Sequence, residues 1–323
     1  MPLLNEEEHL AAAVDAVTSQ GYPGELQLVL AIGRGHDDTL GVARRLADSD
    51  PRITVVENPS GRTPDALNLA VAAAAHDIIV RVDGHGYLSP GYIEHAVTVL
   101  EETGAANVGG VMYAEGVTDF EKAVAVAMRS PLGVGGARFH TGGEAGPADT
   151  VYLGVFRRDW LEKVGGYDPR FTRAQDWELN YRIRQAGGTV WFDPGLRVRY
   201  RPRPTLGRLA RQYRDYGRWR RVVARHHEGT INARYLAPPT MVVVTTAATI
   251  AGFFWAPAWT VPAAYVAGIT AGGLAISRGE PRRSRAFTPL VLATMHWSWG
   301  VGFLTSRRSG DFDVCAGPAE PDA

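Results

Sequence analysis

The chain has 323 residues, with 34 Lys and Arg against 34 Asp and Glu, so its formal net charge is zero. Hydrophobic residues make up 45% and charged residues 21%, which excludes an intrinsically disordered chain and leaves room for one large domain or two ordinary ones. The single cysteine, Cys315, excludes an internal disulfide and a cysteine-based metal cluster and suits a reducing compartment.

Residues 1 to 4 read as the tail of a strand, so an upstream start that adds β-formers is expected. NEEEHLAAAVDAVTSQ then reads as a helix: Asn5 is placed to cap it, Glu8 completes a capping box, and Leu10, Val14 and Val17 share a face. The acids of residues 6 to 9 are unlike a signal peptide. LQLVLAI (26–32) is a short apolar strand, DDTLGVARRLADSD a helix, and ITVVEN (53–58) a strand. TPDALNLAVAAAA is a helix with Thr63 as N-cap and Pro64 at the first helical position. DIIVRV (77–82) is the next strand. Apolar strands separated by helices indicate a parallel sheet covered on both faces, with ligands beyond the carboxyl ends of its strands. NVGGVMYAE (107–115) and TVYLGVF (150–156) read as strands, with the glycine-rich loop GVGGARFHTGGEAGPAD between them. AQDWELNYRIRQAGG (174–188) is a helix ended by glycine, and TVWF and RVRYRPRP are strands.

From Thr205 to His226 the pattern is helical, with Leu206, Leu209, Tyr213, Tyr216 and Val223 on one stripe and Arg211, Arg214, Arg218, Arg221 and Arg225 beside it. Between Arg197 and Arg234 only Asp215 and Glu228 oppose the arginines. Nucleic acid and an anionic membrane leaflet both suit such a run. The membrane is favoured, and no nucleic-acid partner is expected, because Met241–Trp259, Val261–Ile276 and Phe287–Leu304 follow without one Asp, Glu, Lys or Arg. A spanning helix needs roughly 20 such residues; buried core helices are the alternative. The basic stretch 277–286 is expected on the cytoplasmic side, so the first two segments form a hairpin and the third spans, re-enters or lies in the interface. Residues 307–323 form a polar tail.

Chemistry-bearing residues gather where strands end. HDIIVRVDGHGYLSP carries Asp83 and His85 just past an apolar run. By itself Asp-x-His reads as a turn as readily as a ligand pair. A carboxylate and an imidazole suit Mn²⁺ or Mg²⁺ if phosphate oxygens and water complete the shell. Pro2, Asn5 and Glu6 belong at the mouth of the same sheet. Arg62 precedes a helix N-terminus, where a cation and backbone N–H groups can hold phosphate. Asp176 and Glu178 open the helix after the glycine-rich stretch.

In this order the motifs resemble the family 2 glycosyltransferases of GT-A fold. The matches are Pro2, Asn5 and Glu6; Gly61, Arg62, Ala66, Leu67 and Asn68; Asp83 and His85; Asp176; and Arg218-Trp219. DTVYLGVFRR, VGGYD, ELNYRIR and YGRW are similar to the membrane-attached exopolysaccharide subgroup of succinoglycan-biosynthesis type. Two departures stand out. IGRGHDD replaces the base-reading acids, leaving Asp37, and Gln175 replaces the Glu of a Glu-Asp pair. The resemblance implies an α/β GT-A nucleotide-sugar-binding sheet over residues 1–204, a basic interfacial helix and linker over 205–236, and membrane segments over 237–306. It implies an inverting transfer from a nucleotide-sugar donor to a lipid-linked saccharide in cell-surface polysaccharide or glycolipid synthesis, at the plasma membrane with the catalytic domain on the cytoplasmic face. Asp176 would be the base. Pro2, Asn5, Glu6, Arg62, Asn68, Asp83, Arg218 and Trp219 would bind the donor, and Asp83 and His85 a divalent cation, Mn²⁺ or Mg²⁺. The alternatives are a polyprenyl-phosphate sugar synthase and a non-catalytic nucleotide-sugar-binding relative.

Overall fold

The computed structural model describes residues 1–84 and 86–307. They divide into two units: the first holds Met1–Tyr113 and Gly142–Tyr200, the second Ala114–Thr141 and the described residues from Arg201 onward.

In the first unit, β1 (Pro2–Leu3), α1 (Leu10–Thr18), β2 (Leu28–Gly33), α2 (Thr39–Ser49), β3 (Ile53–Asn58) and α3 (Thr63–Ala73) alternate. The three strands form a parallel sheet in the order β1-β2-β3, with Pro2 opposite Ala31 and Leu28 opposite Ile53. Every residue of β2 is buried, as the continuous apolar run requires of a strand covered on both faces. Met1 joins the ladder, its amine donating to Val29 O at 2.9 Å. Asn5 does not cap α1. It takes a left-handed conformation (φ 56°), which short polar side chains tolerate, and the helix starts only at Leu10 with no side-chain cap. Arg62, not Thr63, is the N-cap residue of α3, and Pro64 lies in its first turn.

β4 (Ile78–Val80), β5 (Tyr87–Leu88), α4 (Tyr92–Thr103) and β6 (Asn107–Ala114) follow. The chain then leaves for the second unit as α5 (Asp119–Met128), α6 (Pro131–Val134) and α7 (Arg138–Thr141), so the glycine-rich stretch is not uniformly loop. It returns through β7 (Gly146–Pro147), β8 (Tyr152–Arg157), α8 (Arg158–Lys163), α9 (Gln175–Gln185) and β9 (Val190–Tyr200), one strand where the sequence reads as two. The second sheet has the order β4-β8-β6-β9-β5. The parallel arrangement therefore ends at β3, and β4 pairs antiparallel with β8, Ile79 opposite Phe156. Leu10, Leu30, Leu100, Leu153 and Leu196 form one core, all fully buried; Leu179, Ile183 and Phe192 anchor another.

The second unit continues with α10 (Leu206–His226), α11 (Ala233–Gly252), a 3₁₀ turn (Ala256–Trp259), α12 (Thr260–Ile276) and α13 (Arg282–Thr305). Thr118 and Glu121 form a capping box on α5, and the buried Glu121 carboxylate also accepts from Arg201 Nε at 2.9 Å. α13 packs against α5 and α10. Val291 and Leu292 are fully buried, and Ser284, fully buried as well, donates to Asp119 Oδ1 at 3.0 Å. The described residues hold two helices long and apolar enough to cross a membrane, Ala233–Gly252 and Ala256–Ile276, and α13 is not one of them. The first ends at Gly252, short of the Trp259 boundary in the sequence reading.

α10 and α13 cross backbone to backbone. A side chain on Gly217 would run into Trp299 O, and one on Gly302 into Arg214 O. Arg221 and Arg225, two members of the basic stripe, cap the end of α13: Arg221 Nη1 donates to Phe303 O at 2.9 Å and Arg225 Nη1 to Arg307 O at 3.0 Å. Gly302→Ala should therefore lose about 1–3 kcal/mol in denaturant unfolding in detergent. Gly207→Ala, where an added methyl meets nothing within 4 Å, should lose nothing. Equal midpoints for the two variants would mean the crossing is not backbone-limited.

Candidate active site

At the mouth of the parallel sheet two loops are zipped together. Asn5 Oδ1 accepts from His36 N at 2.9 Å, Glu6 N donates to Thr39 Oγ1 at 2.8 Å, Glu7 N donates to Asp37 Oδ2 at 3.1 Å, and Asp38 N donates to Glu7 Oε2 at 2.9 Å. A side chain on Gly35 would strike Asn5 Oδ1, which gives a steric reason for the second glycine of IGRGHDD. Asp37 Oδ1 accepts from the Thr39 hydroxyl at 2.6 Å. These hydrogen bonds hold the Asp37 carboxyl below the usual carboxylate range against the opposing effect of its burial. Both oxygens thus hold the loop together rather than standing ready for a base N–H. Pro2 lies in β1, and Glu6 reaches the Asp83 turn: a Cβ on Gly84 would come within 3.1 Å of Glu6 Cδ.

The residue that organises the site is Arg81, which the sequence reading passes over as part of a strand. Its side chain is 5% exposed. Nη2 pairs with Asp83 Oδ1 at 3.0 Å, Nε donates to the same oxygen at 3.1 Å, and Nη1 pairs with Asp176 Oδ1. The guanidinium stands 5.9 Å from the centroid of the buried Tyr167 ring. Burial raises the Asp176 carboxyl above its ordinary value; Arg81 opposes this and the charge of Asp83 adds to it. One cation thus joins the expected metal ligand to the expected base, from residues 95 positions apart.

Tyr167 is held from two sides. Asn68 Nδ2 donates to Tyr167 O at 2.7 Å, and Tyr167 N donates to Asn68 Oδ1 at 2.8 Å. Glu178, 1% exposed, pairs with Arg182 at 2.7 Å, and Arg182 Nη2 donates to Gly166 O at 2.8 Å. Asn68 and Glu178 therefore engage protein groups that fix the loop before Asp176. Ala174, immediately before α9, adopts a left-handed backbone with φ 58°. Arg62 sits at the start of α3, 45% exposed, with Nε on Asp65 Oδ2 at 2.8 Å. Arg218 and Trp219 belong to α10 in the second unit, where Trp219 is buried. His85 lies outside the described residues.

No cluster of three His, Cys, Asp or Glu side chains forms a ready ligand set among the described residues. Arg81 takes one oxygen of Asp83, whose side chain is 21% exposed, and Glu6 is adjacent. That donor set fits a hard cation whose remaining positions go to phosphate and water.

A parallel nucleotide-binding half followed by an antiparallel half, with a carboxylate at the strand end, is the GT-A glycosyltransferase architecture. The family described as Glycosyl transferase family 2 matches residues 1–165, and the chain belongs to that family of glycosyltransferases. It is 32% identical to the succinoglycan biosynthesis protein ExoA of Rhizobium meliloti (strain 1021), over 94% of this chain and 92% of the relative. It is 25% identical to glycosyltransferase AglE of Haloferax volcanii, over 66% of this chain and 69% of the relative. Its fold is similar to that of the mannosyltransferase PcManGT from Pyrobaculum calidifontis, solved in complex with GDP-Man and Mn²⁺: TM-score 0.62 and 21% identity, covering 95% of this chain and 86% of that one.

Arg81→Met keeps the volume and removes the cation, leaving two carboxylates without their partner. The expected cost is on the order of 3 kcal/mol in thermal or denaturant unfolding. Arg81→Lys, with a point charge that cannot address both acids through a planar fork, should fall between. An unchanged midpoint for Arg81→Met would mean that the acids hold their places unaided.

Proposed function

We propose that the protein transfers a sugar, with inversion, from a nucleotide-sugar donor to a lipid-linked acceptor at a membrane surface. The reading rests on Asp83 and Asp176 sharing Arg81, so that a phosphate-side acid and an acceptor-side base have a fixed relation. Asp176 takes the proton of the acceptor hydroxyl as that oxygen attacks the anomeric carbon opposite the departing nucleotide; a single displacement inverts the centre. Asp83, with Glu6 beside its turn and His85 two positions on in the sequence, would hold Mn²⁺ or Mg²⁺ together with donor oxygens. Such a cation, when bound, offsets charge on the leaving diphosphate. Arg62 and the N-terminal N–H groups of α3 face anionic phosphate. Asn68 acts on the donor through the Tyr167 loop.

Membrane attachment falls to the α11–α12 hairpin. At its turn Phe253, Phe254 and Trp255 are 76%, 89% and 66% exposed, apolar surface that water does not favour. A 20-residue helix such as α11 is about 30 Å long, the thickness of a hydrocarbon core. The hairpin returns the chain to the side it left, and the basic stretch 277–286 fits the cytoplasmic face.

Asp176→Asn should lower transfer roughly 10²–10⁴-fold while nucleotide-sugar affinity holds. Asp83→Ala should abolish the Mn²⁺-dependent part of donor binding in calorimetric titration. Near-parental transfer by Asp176→Asn would instead favour a phosphate acceptor, which needs no base.

For topology, Phe254→Cys in a Cys315→Ser background should react with an impermeant thiol reagent added outside intact cells. Reaction from the inside only would overturn the hairpin.

A further inference from the structure

One buried polar group beside the two acids has no part in the proposed transfer. Tyr167 is 2% exposed, and its hydroxyl is buried without a hydrogen-bond partner. An unpaired buried O–H is costly, and phenylalanine would fill the same space without that cost. Burial pushes the pKa of the phenol up, so the group keeps its proton and stays a donor at any working pH.

Much of the surrounding sequence serves to place this ring. The Asn68 amide takes both the N–H and the C=O of Tyr167. Gly166, just before it, has φ 68°, and a Cβ there would lie 2.6 Å from Asn68 Oδ1. Phe156 of β8 meets the ring edge-on, with centroids 6.4 Å apart and planes at 76°. Arg81 Cζ lies 5.9 Å from the ring centroid. The hydroxyl is thus held among charges: Arg81, Asp176 and Asp83 all act on it, and Asp176 more strongly than Asp83. A guanidinium only donates, so of these three groups only a carboxylate can receive the hydroxyl proton.

Asp176 has an oxygen to receive it. Arg81 addresses Oδ1 of Asp176, and Oδ2 accepts no hydrogen bond from any described residue. The last torsion of an aspartate is broad and roughly two-fold, so one anchor leaves the carboxylate free to turn. The Asp176 side chain is 28% exposed, so an acceptor reaches the base while the phenol stays covered.

We propose that the Tyr167 hydroxyl is the second anchor of Asp176, a positioning residue that donates to Oδ2 and fixes the plane of the base toward the acceptor hydroxyl. The bond closes when substrates fill the site, as catalytic hydrogen bonds that are long or misaligned in a free enzyme commonly do. Tyr167 keeps its proton throughout. The proton released by the acceptor goes to the other lone pair of Oδ2. This deepens the reading of Asp176 as base and rests on it.

The full chain in detergent with Mn²⁺ is given UDP-glucose, GDP-mannose or dTDP-rhamnose, with water as acceptor, and released nucleoside diphosphate is measured for the donor that the parent hydrolyses fastest. Tyr167→Phe should lower kcat about 10–10²-fold while KM for the nucleotide-sugar holds, because misplacing a reacting group costs rate and not binding. Its melting temperature should hold or rise, since the lost hydroxyl has no partner in the free protein. In an Asp176→Asn background the same substitution should leave the residual rate nearly unchanged, as expected of two residues that act as one unit. A parental kcat in Tyr167→Phe overturns the proposal. So does an equal fractional loss in the Asp176→Asn background, or a lowered melting temperature, which would give the hydroxyl a purely structural partner. Near-parental release by Asp176→Asn alone would remove the base and this proposal with it, and a parent that hydrolyses none of the three donors would do the same. A large loss in Asp176→Asn with a parental Tyr167→Phe overturns this proposal and leaves the base in place.

Discussion

Arg81 is the interaction on which the catalytic half turns. A buried guanidinium just past the end of β4 is costly to desolvate, and here the cost is offset by two carboxylates and an aromatic face. Each partner arrives from a different part of the chain: Asp83 from the end of β4's run, Asp176 from the start of α9, and Tyr167 from the loop between α8 and α9. Asn68 and the Glu178–Arg182 pair exist in relation to that loop, since both hold its backbone where Tyr167 can meet Arg81. Asn68, expected at the donor, and Glu178 through Arg182 thus make their hydrogen bonds to the loop that carries Tyr167.

The basic helix α10 is not one surface with one purpose. Its glycine face lets α13 approach backbone to backbone. Arg221 sits on the terminal carbonyls of α13, where a cation complements the helix dipole, and Arg225 on the carbonyls just beyond it. Arg220 is turned to Tyr235. An amphipathic wheel alone cannot distinguish these fates, because all three arginines occupy polar positions of the same helix.

What the sequence disclosed follows from the range of the forces involved. ITVVEN became β3 over the residues expected, and the Thr205–His226 pattern became α10, because hydrophobic periodicity is a local signal. α4 carries the same signal: Ile93, Ala96, Val99 and Leu100 recur at helical spacing between Gly91 and Gly104. Asn5 misled because a polar residue ahead of an apolar face looks like an N-cap, whereas its partner, His36 N, lies 31 residues away. The same distance problem hid the site's centre. Asp83 and Asp176 were recognisable by motif, but their connection through Arg81 is a tertiary fact. Its only trace in the sequence was one arginine inside an apolar strand.

The path of the chain between the two units sets a timetable for its synthesis. α5 leaves the ribosome well before β8 and β9, yet its apolar face, with Ala123, Val124 and Met128 fully buried, packs against α13 at the far end of the chain. At roughly 5–20 residues per second, the interval between the two helices is on the order of ten to thirty seconds. During that time the last strands of the first unit are made while the part of α5 that meets α13 has α6 beside it but not yet α13. The α5 face that meets α13 stays uncovered until α13 is made, and α13 is the piece that ends the wait.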